Sequence, residues 1–268
     1  DRVRVSGGRG RPRPDHLKVT VGYRDGYMAD GQISYAGLGA VARGQLALDV
    51  VRVRLAEAGL LARFHGGVRM PGSTTENIAY RQRQALHADS KARIARAVAE
   101  RIPNGCSLLM NIGTTTEAIA QALMQHRDLR VITNNLHIAA LLSTNPQCEV
   151  IVASGSVRAS DQGIVGEATV EFLSQFKVDI GLVGVSGIEA DGTLRDYDFR
   201  EVKVTRALMA HAREVWMAAD HTKFNRPAMV ELGHLQDLDV FFTDLPPPEP
   251  FAPLLQQAGV ECVVADSD

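Results

Sequence analysis

Long apolar runs are missing from this sequence. Nowhere do the ~18 to 20 consecutive apolar residues needed to cross a bilayer occur, and the stretch DRVRVSGGRGRPRPD has no apolar core of the kind a secretion signal needs. A membrane protein and a secreted one are therefore not expected, and the cytoplasm is the expected location. Cysteine is scarce too. Cys106, Cys148 and Cys262 lie far apart, with no C-x-x-C and no histidine at ligand spacing. That argues against a disulfide framework and a zinc site, and predicts three reduced core residues. Also absent are G-x-x-x-x-G-K-[ST], G-x-G-x-x-G after a strand, G-x-S-x-G and H-E-x-x-H. Their absence argues against nucleotide binding and the common hydrolases, so no cofactor and no metal are expected. What is present is a globular composition, 45% hydrophobic and 22% charged over 268 residues, sufficient for one large domain or two modest ones.

The formal charge of -2 hides an asymmetry. Residues 1 to 70 carry 12 Lys and Arg against 6 Asp and Glu, net +6, whereas residues 71 to 268 carry 17 against 25, net -8. A basic head on an acidic body suggests a polyanion-binding segment joined to a different module. The head also holds 12 of the 24 glycines, a density that weakens helices. Within it only VVRVRLAEAGLLARF, residues 50 to 64, has a helical pattern, stopped by Gly66 and Gly67. The expected division is thus 1–70 and 71–268.

From about residue 90 the chain alternates strand-length apolar runs with stretches of helical period. Ile94, Val98 and Ile102 recur at four-residue spacing on a helix that Ser90 could cap and Pro103-Asn104-Gly105 ends. CSLLMNI, LRVIT, CEVIVA, DIGLVGV, EVWMAA, DVFFT and ECVVA are strand candidates, with helical patterns at 135 to 143, 167 to 176, 200 to 213 and 250 to 258. Seven strands with crossover helices predict an α/β fold, a mostly parallel, doubly wound sheet.

Ligands of such sheets bind beyond the carboxyl ends of the strands. After the first strand, Gly113 permits a tight turn, and Thr114 with Glu117 has the spacing of a capping box, so backbone N–H groups and hydroxyls meet at a helix amino terminus suited to phosphate. Thr133-Asn134-Asn135, Ser154-Gly155-Ser156, Ser186-Gly187 and Asp220-His221-Thr222-Lys223 follow other strands and add donors. Arg158 and Lys223 are the cations nearest strand ends, although Arg158 could instead pair with Asp161 and Lys223 could be a solvated loop residue. Asp191-Gly192 reads as a turn. Asp196, Asp198 and Glu201 could supply a general base, a metal ligand or hydroxyl acceptors for a polyol. Glu201 and Lys203, two apart on a helix, cannot both face the cleft.

NIGTTTEAIAQAL, VITNNLHIA, GIVGEATVEFLSQFKVDIGLVGVSGIEADGTL, DFREVKVTRA and ADHTKFNRPAMVELG, in this order, resemble the sensor domain of DeoR-family transcriptional regulators from about Gly66 to Pro248. The resemblance implies a fold related to ribose-5-phosphate isomerases and CoA transferases, used for sensing and not for turnover. It implies a repressor, a homo-oligomer on operator DNA, released by a phosphorylated polyol or sugar such as glycerol 3-phosphate. Carried over motif by motif, Gly113, Thr114 and Thr115 match the phosphate-cradling turn, and Thr133 and Asn134 match the T-N strand end. Arg158 matches the arginine of G-G-x-x-R, of which only one glycine is kept. Asp198 belongs to the acidic loop, Glu201 and Lys203 to the helix after it, and Asp220 and Lys223 to D-x-[ST]-K-F. The alternatives are a sugar-phosphate isomerase-like or CoA-transferase-like enzyme with Asp198 or Glu201 as base, and a ligand-binding remnant with impaired DNA binding.

The head departs from the family. Leu55 to Gly67 keeps L-A-E-x-G-L-[LI]-x-R-x-H-G-G, which implies a wing carrying Arg63, His65 and Gly66. The recognition helix S-x-x-T-[IV]-R-R-D-L is not recognisable, because Asp49, Val50 and Val51 stand where R-R-D belongs. An incomplete winged helix-turn-helix is expected, from upstream sequence that is frame-shifted or joined from elsewhere. Base-specific reading of operator DNA then has no docked helix.

Overall fold

The computed structural model describes Val3–Ser6, Lys18–Val21, Ala62–Phe64, Gly67–Arg69, residue 78 and residues 80–266. The chain divides into two compact units, Asp1–Pro71 and Gly72–Asp268. In the first, β1 (Val3–Ser6) pairs antiparallel with β2 (Lys18–Val21). A second antiparallel pair joins β3 (Ala62–Phe64) to β4 (Gly67–Arg69), with Phe64 opposite Gly67. The helix expected over 50 to 64 therefore does not reach residue 64. The antiparallel pairing of residues 62–64 with 67–69 takes up the backbone groups that a continuing helix would use. Arg63 lies on β3; residues 50 to 61, His65 and Gly66 fall outside the described residues.

The second unit begins with α1 (Tyr80–Ala85) and α2 (Ala88–Arg101). Then come β5 (Ser107–Met110), α3 (Thr114–Ala122), β6 (Leu129–Thr133), α4 (Leu136–Leu142) and β7 (Cys148–Val152). The chain continues through the short strands β8 (Ser156–Val157) and β9 (Ile164–Val165), then α5 (Glu167–Leu173) and β10 (Val178–Val183). β11 (Gly187–Ile188), β12 (Thr193–Asp196), α6 (Phe199–Ala210), β13 (Ala212–Ala218) and β14 (Val230–His234) follow. β15 (Val240–Thr243), α7 (Phe251–Ala258) and β16 (Glu261–Val264) complete it.

All seven expected strands form one sheet in the order β7-β6-β5-β10-β13-β15-β16, and every neighbouring pair is parallel. Leu108 and Met110 pack on one side with Ile94 and Val98 of α2, Ile119 of α3 and Ile138 and Leu142 of α4. Leu109 packs on the other side with Leu208 of α6 and Phe251 and Leu255 of α7. Burial on both faces explains why these strands read as continuous apolar runs and not as alternating ones. The edges are less covered, and this corrects the expectation for cysteine. Cys106 is core, Cys148 on edge strand β7 is half-buried, and Cys262 on edge strand β16 is exposed.

Helix α2 also starts earlier than expected. His87 at φ 53 precedes it and Ser90 sits inside its first turn, where its hydroxyl bonds Asp244 and does not cap the helix. Three additions cluster beyond the carboxyl ends of the main strands: the β8–β9 hairpin after β7, the β11–β12 pair after β10, and β14, which joins β12. Asp191 and Gly192 make the turn between β11 and β12, Gly192 at φ +87 and the Asp191 carboxylate accepting from the Thr193 N–H at 2.9 Å.

Candidate functional site

The strand order reverses between β5 and β10: from β5 the chain winds outward through β6 and β7, and from β10 it winds the other way through β13, β15 and β16. A crevice beyond the carboxyl ends of those two strands is where such sheets bind ligands. Asn111 ties the two ends together, its N–H donating to the Leu182 carbonyl at 3.1 Å and its side-chain carbonyl accepting from the Gly184 N–H at 3.1 Å.

The turn after β5 is built differently from expectation. Gly113 is the N-cap of α3, with extended backbone at φ 160 and no side chain to accept a hydrogen bond, so its role is not a left-handed turn. The Thr114–Glu117 capping box does not form. The Glu117 carboxylate instead accepts from the Tyr80 hydroxyl at 2.8 Å and the Asn135 amide at 3.0 Å. The Thr116 hydroxyl reaches the carbonyls of Gly113 and Asn111 at 2.7 and 3.0 Å. With a glycine cap, the N–H groups of Thr114, Thr115 and Thr116 have no intrahelical acceptor, which is the arrangement that receives an anion.

Thr133 and Asn134 end β6. The Thr133 hydroxyl donates to the Met110 carbonyl at 2.7 Å and accepts from the Asn135 N–H at 3.0 Å, so it braces the crevice wall. Asn134 is 2% exposed; its amide donates to the Ile164 carbonyl at 3.0 Å while its own side-chain carbonyl oxygen, also buried, has no partner.

Arg158 follows β8. In the strand-end motif before it, Gly155 is the glycine that the backbone requires: φ is +141, and a Cβ there would stand 2.1 Å from the Thr169 hydroxyl. Ser154 replaces the other glycine without conflict, its hydroxyl donating to the Ala168 carbonyl. The Arg158 guanidinium is 15% exposed and donates to Asp161 twice, at 2.9 and 2.6 Å, to Asp198 at 2.9 Å and to Glu201 at 2.6 Å. Asp198 also caps α6. Hydrogen bonding from Arg200, and then from Arg158, holds its carboxyl well below the usual range against the opposing effect of burial. Burial pushes Glu201 up to about 8, aided by the charge of Asp196 and opposed by Arg158. Asp196, buried and bonded to the Ser186 hydroxyl and the Tyr197 N–H, is likewise raised by burial. Lys203 faces elsewhere, 56% exposed and paired with Glu167 at 2.7 Å, so of Glu201 and Lys203 only Glu201 joins the cluster.

Asp220 caps the short turn His221–Lys223. Lys223 is 16% exposed, too enclosed for a solvated loop lysine, and its nearest carboxylate, Asp220, is 3.9 Å away. Burial lowers its pKa to about 8, and the positive charges of Arg226, Arg83 and Lys91 press it further while Asp220 opposes them. His221 is engaged by Asp244 at 2.8 Å.

Sequence reasoning missed α1. Between Gly67 and about residue 90 no element was expected, and the one signal was the three-residue spacing of Tyr80 and Arg83 ahead of a long amphipathic helix. Tyr80 hydrogen-bonds Glu117 and stacks on His137 at 5.3 Å. Arg83 approaches Asp161 at 3.8 Å. The buried Lys91 ammonium holds the end of α1 through the carbonyls of Leu86, at 2.6 Å, and Arg83. Among the described residues no group of three or more His, Cys, Asp and Glu side chains could hold a metal ion, and no helix is long and apolar enough to cross a membrane.

A parallel doubly wound sheet with polar insertions beyond the carboxyl ends of its strands defines an α/β domain of the class that binds small molecules at a strand-order reversal. The profile of the DeoR C-terminal sensor domain matches residues 86–245. The glycerol-3-phosphate regulon repressor of Escherichia coli (strain K12) is 46% identical over 194 residues, covering 72% of this chain and 77% of the repressor. The HTH-type transcriptional repressor CsqR of the same strain is 38% identical over 259 residues, 97% of each chain. This chain belongs to the DeoR family, and these relatives are transcriptional repressors. The profile of the acyclic terpene utilisation family protein AtuA matches residues 1–135. Among solved structures, ribose 5-phosphate isomerase A from Neisseria gonorrhoeae aligns with a TM-score of 0.38 at 12% identity, over 50% of this chain and 52% of that one.

Proposed function

We propose that residues 72–268 sense a phosphorylated polyol, with glycerol 3-phosphate the expected effector, and that the chain acts as a cytoplasmic, oligomeric repressor and not as an enzyme. The observation that carries this reading is the glycine-capped amino terminus of α3 at the strand-order reversal, with Lys223 enclosed at the same end of the sheet. Phosphate meets the N–H groups of Thr114 to Thr116, and the hydroxyls meet carboxylates that already accept from donors, Asp198 and Glu201. Binding then lowers affinity for operator DNA, by the 5- to 150-fold typical of such coupling, about 1 to 3 kcal/mol. Thermal unfolding tests it: at 100 times its dissociation constant glycerol 3-phosphate adds about 2.7 kcal/mol of stability, and glycerol adds none. Equal stabilisation by glycerol, or none by either, sinks the reading.

One observation favours a second reading of the head. The AtuA profile covers all of the head, although it runs on to residue 135 and overlaps the sensor match from residue 86, and the R-R-D positions hold Asp49, Val50 and Val51; on this reading the head is sequence joined from another protein and the chain is a sensor without an operator reader. Against it stands the alignment with CsqR, which runs through nearly all of the chain. Competition between operator and random DNA decides: equal affinity, falling steeply with salt, identifies charge attraction alone and favours the second reading.

A further inference from the structure

Resting on the sensor reading above, we infer that Arg83, on α1, is a direct phosphate contact of the effector site, with Lys223 as its partner cation. Arg158 is the cation that motif matching would choose, but four of its five N–H donors are already engaged by three carboxylates at 2.6 to 2.9 Å. A phosphate competing for those donors would displace Asp161, which is 4% exposed, or Glu201, which is 15% exposed, and leave a largely enclosed carboxylate without its close cation.

Arg83 is in the opposite condition. Its Nε–H is buried and has no hydrogen-bond partner. Among the described residues its ion pair is a long contact of 3.8 Å to Asp161, whose two oxygens are already held by Arg158. Buried donors of this kind are rare and costly to leave unmade, and an arginine fork is the donor geometry that matches a phosphate. Its 3.8 Å approach to Asp161 puts Arg83 beside the carboxylate cluster, and its positive charge also bears on Lys223. The helix that carries it is held at both ends, by Tyr80 on Glu117 of α3 and by Lys91 on the carbonyls of Arg83 and Leu86. The arginine is thus anchored to the helix whose amino terminus receives the anion.

The test uses the full chain and calorimetric titration with two probes, inorganic phosphate and glycerol 3-phosphate. Arg83→Gln is expected to weaken both by 10- to 100-fold while its unliganded unfolding midpoint stays within a few degrees of the unmodified chain. Arg83→Lys, which keeps the charge but has no Nε–H, is expected to fall between the two. If the unmodified chain binds both probes and folded Arg83→Gln binds them equally well, the assignment is overturned and the sensor reading stands. Should Arg83→Gln fail to fold, undiminished affinity in Arg83→Lys overturns it, because lysine lacks the assigned donor. An unmodified chain that binds neither probe overturns the sensor reading and this assignment with it.

Discussion

Arg158 and Lys223 both follow strands at the carboxyl end of one sheet, and both are largely enclosed, yet their surroundings are opposite. Arg158 is shared by Asp161, Asp198 and Glu201, with Asp196 close enough to raise Glu201. Among the described residues Lys223 has a single carboxylate at 3.9 Å, with three other cations, Arg226, Arg83 and Lys91, within electrostatic reach. The first corner is an arginine satisfying an excess of acid, the second a lysine short of it. The ratio of charges around a cation, more than the presence of the cation, decides whether an anion is welcome there. By that criterion Arg158 fastens the β8–β9 loop to α6, and the second corner is the one proposed to take the phosphate.

The largest effect that would break this comparison is on stability. Arg158→Met leaves Asp161 and Glu201 enclosed without their cation and is expected to cost about 3 kcal/mol or more in urea unfolding. A loss below about 1 kcal/mol together with tenfold weaker phosphate binding would exchange the roles of the two corners.

A pH series separates them more finely. Glu201, raised to about 8 in the fold against an ordinary 4.5, keeps a proton in the folded state that the unfolded chain has lost between those values. Stability therefore falls as pH rises through that window, by up to about 1.4 kcal/mol per pH unit from this group. Lys223, lowered to about 8 from 10.5, has the reverse sign: between about 8 and 10.5 the unfolded chain holds the extra proton, and stability rises with pH. Glu201→Gln should flatten the lower limb and Lys223→Met the upper one. Unchanged limbs in both variants would show that the two groups titrate normally.

The smallest effect sharpens the boundary of the site. Lys203→Ala, on the exposed side of α6, should change stability by less than about 0.5 kcal/mol and leave phosphate binding as it was. A tenfold loss would bring that face of α6 into the site.

The seven core strands were legible because a parallel sheet buried on both faces demands unbroken apolar runs such as DIGLVGV and DVFFT. The short antiparallel additions β8–β9 and β11–β12–β14 were not, since strands of two to five residues carry too little pattern to distinguish from loop. Asp198 was readable as an acidic residue at a helix amino terminus, and it caps α6. The Thr114–Glu117 spacing suggested a capping box, but Glu117 had stronger offers from Tyr80 and Asn135, both distant in sequence. Tyr80 and Arg83 escaped notice for the same reason: a six-residue polar helix acquires meaning only from what it packs against.

Sequence by itself determined the parallel sheet and its polar strand-end turns, because hydrophobic periodicity and local turn residues act over a few neighbours, and its ordered motifs pointed to the family. Only the tertiary structure decided which cation is spent and which is available. Arg158 meets Asp198 and Glu201 across some 40 residues of chain, and whether a charge is satisfied depends on such distant partners and on burial, neither of which is written in the local sequence.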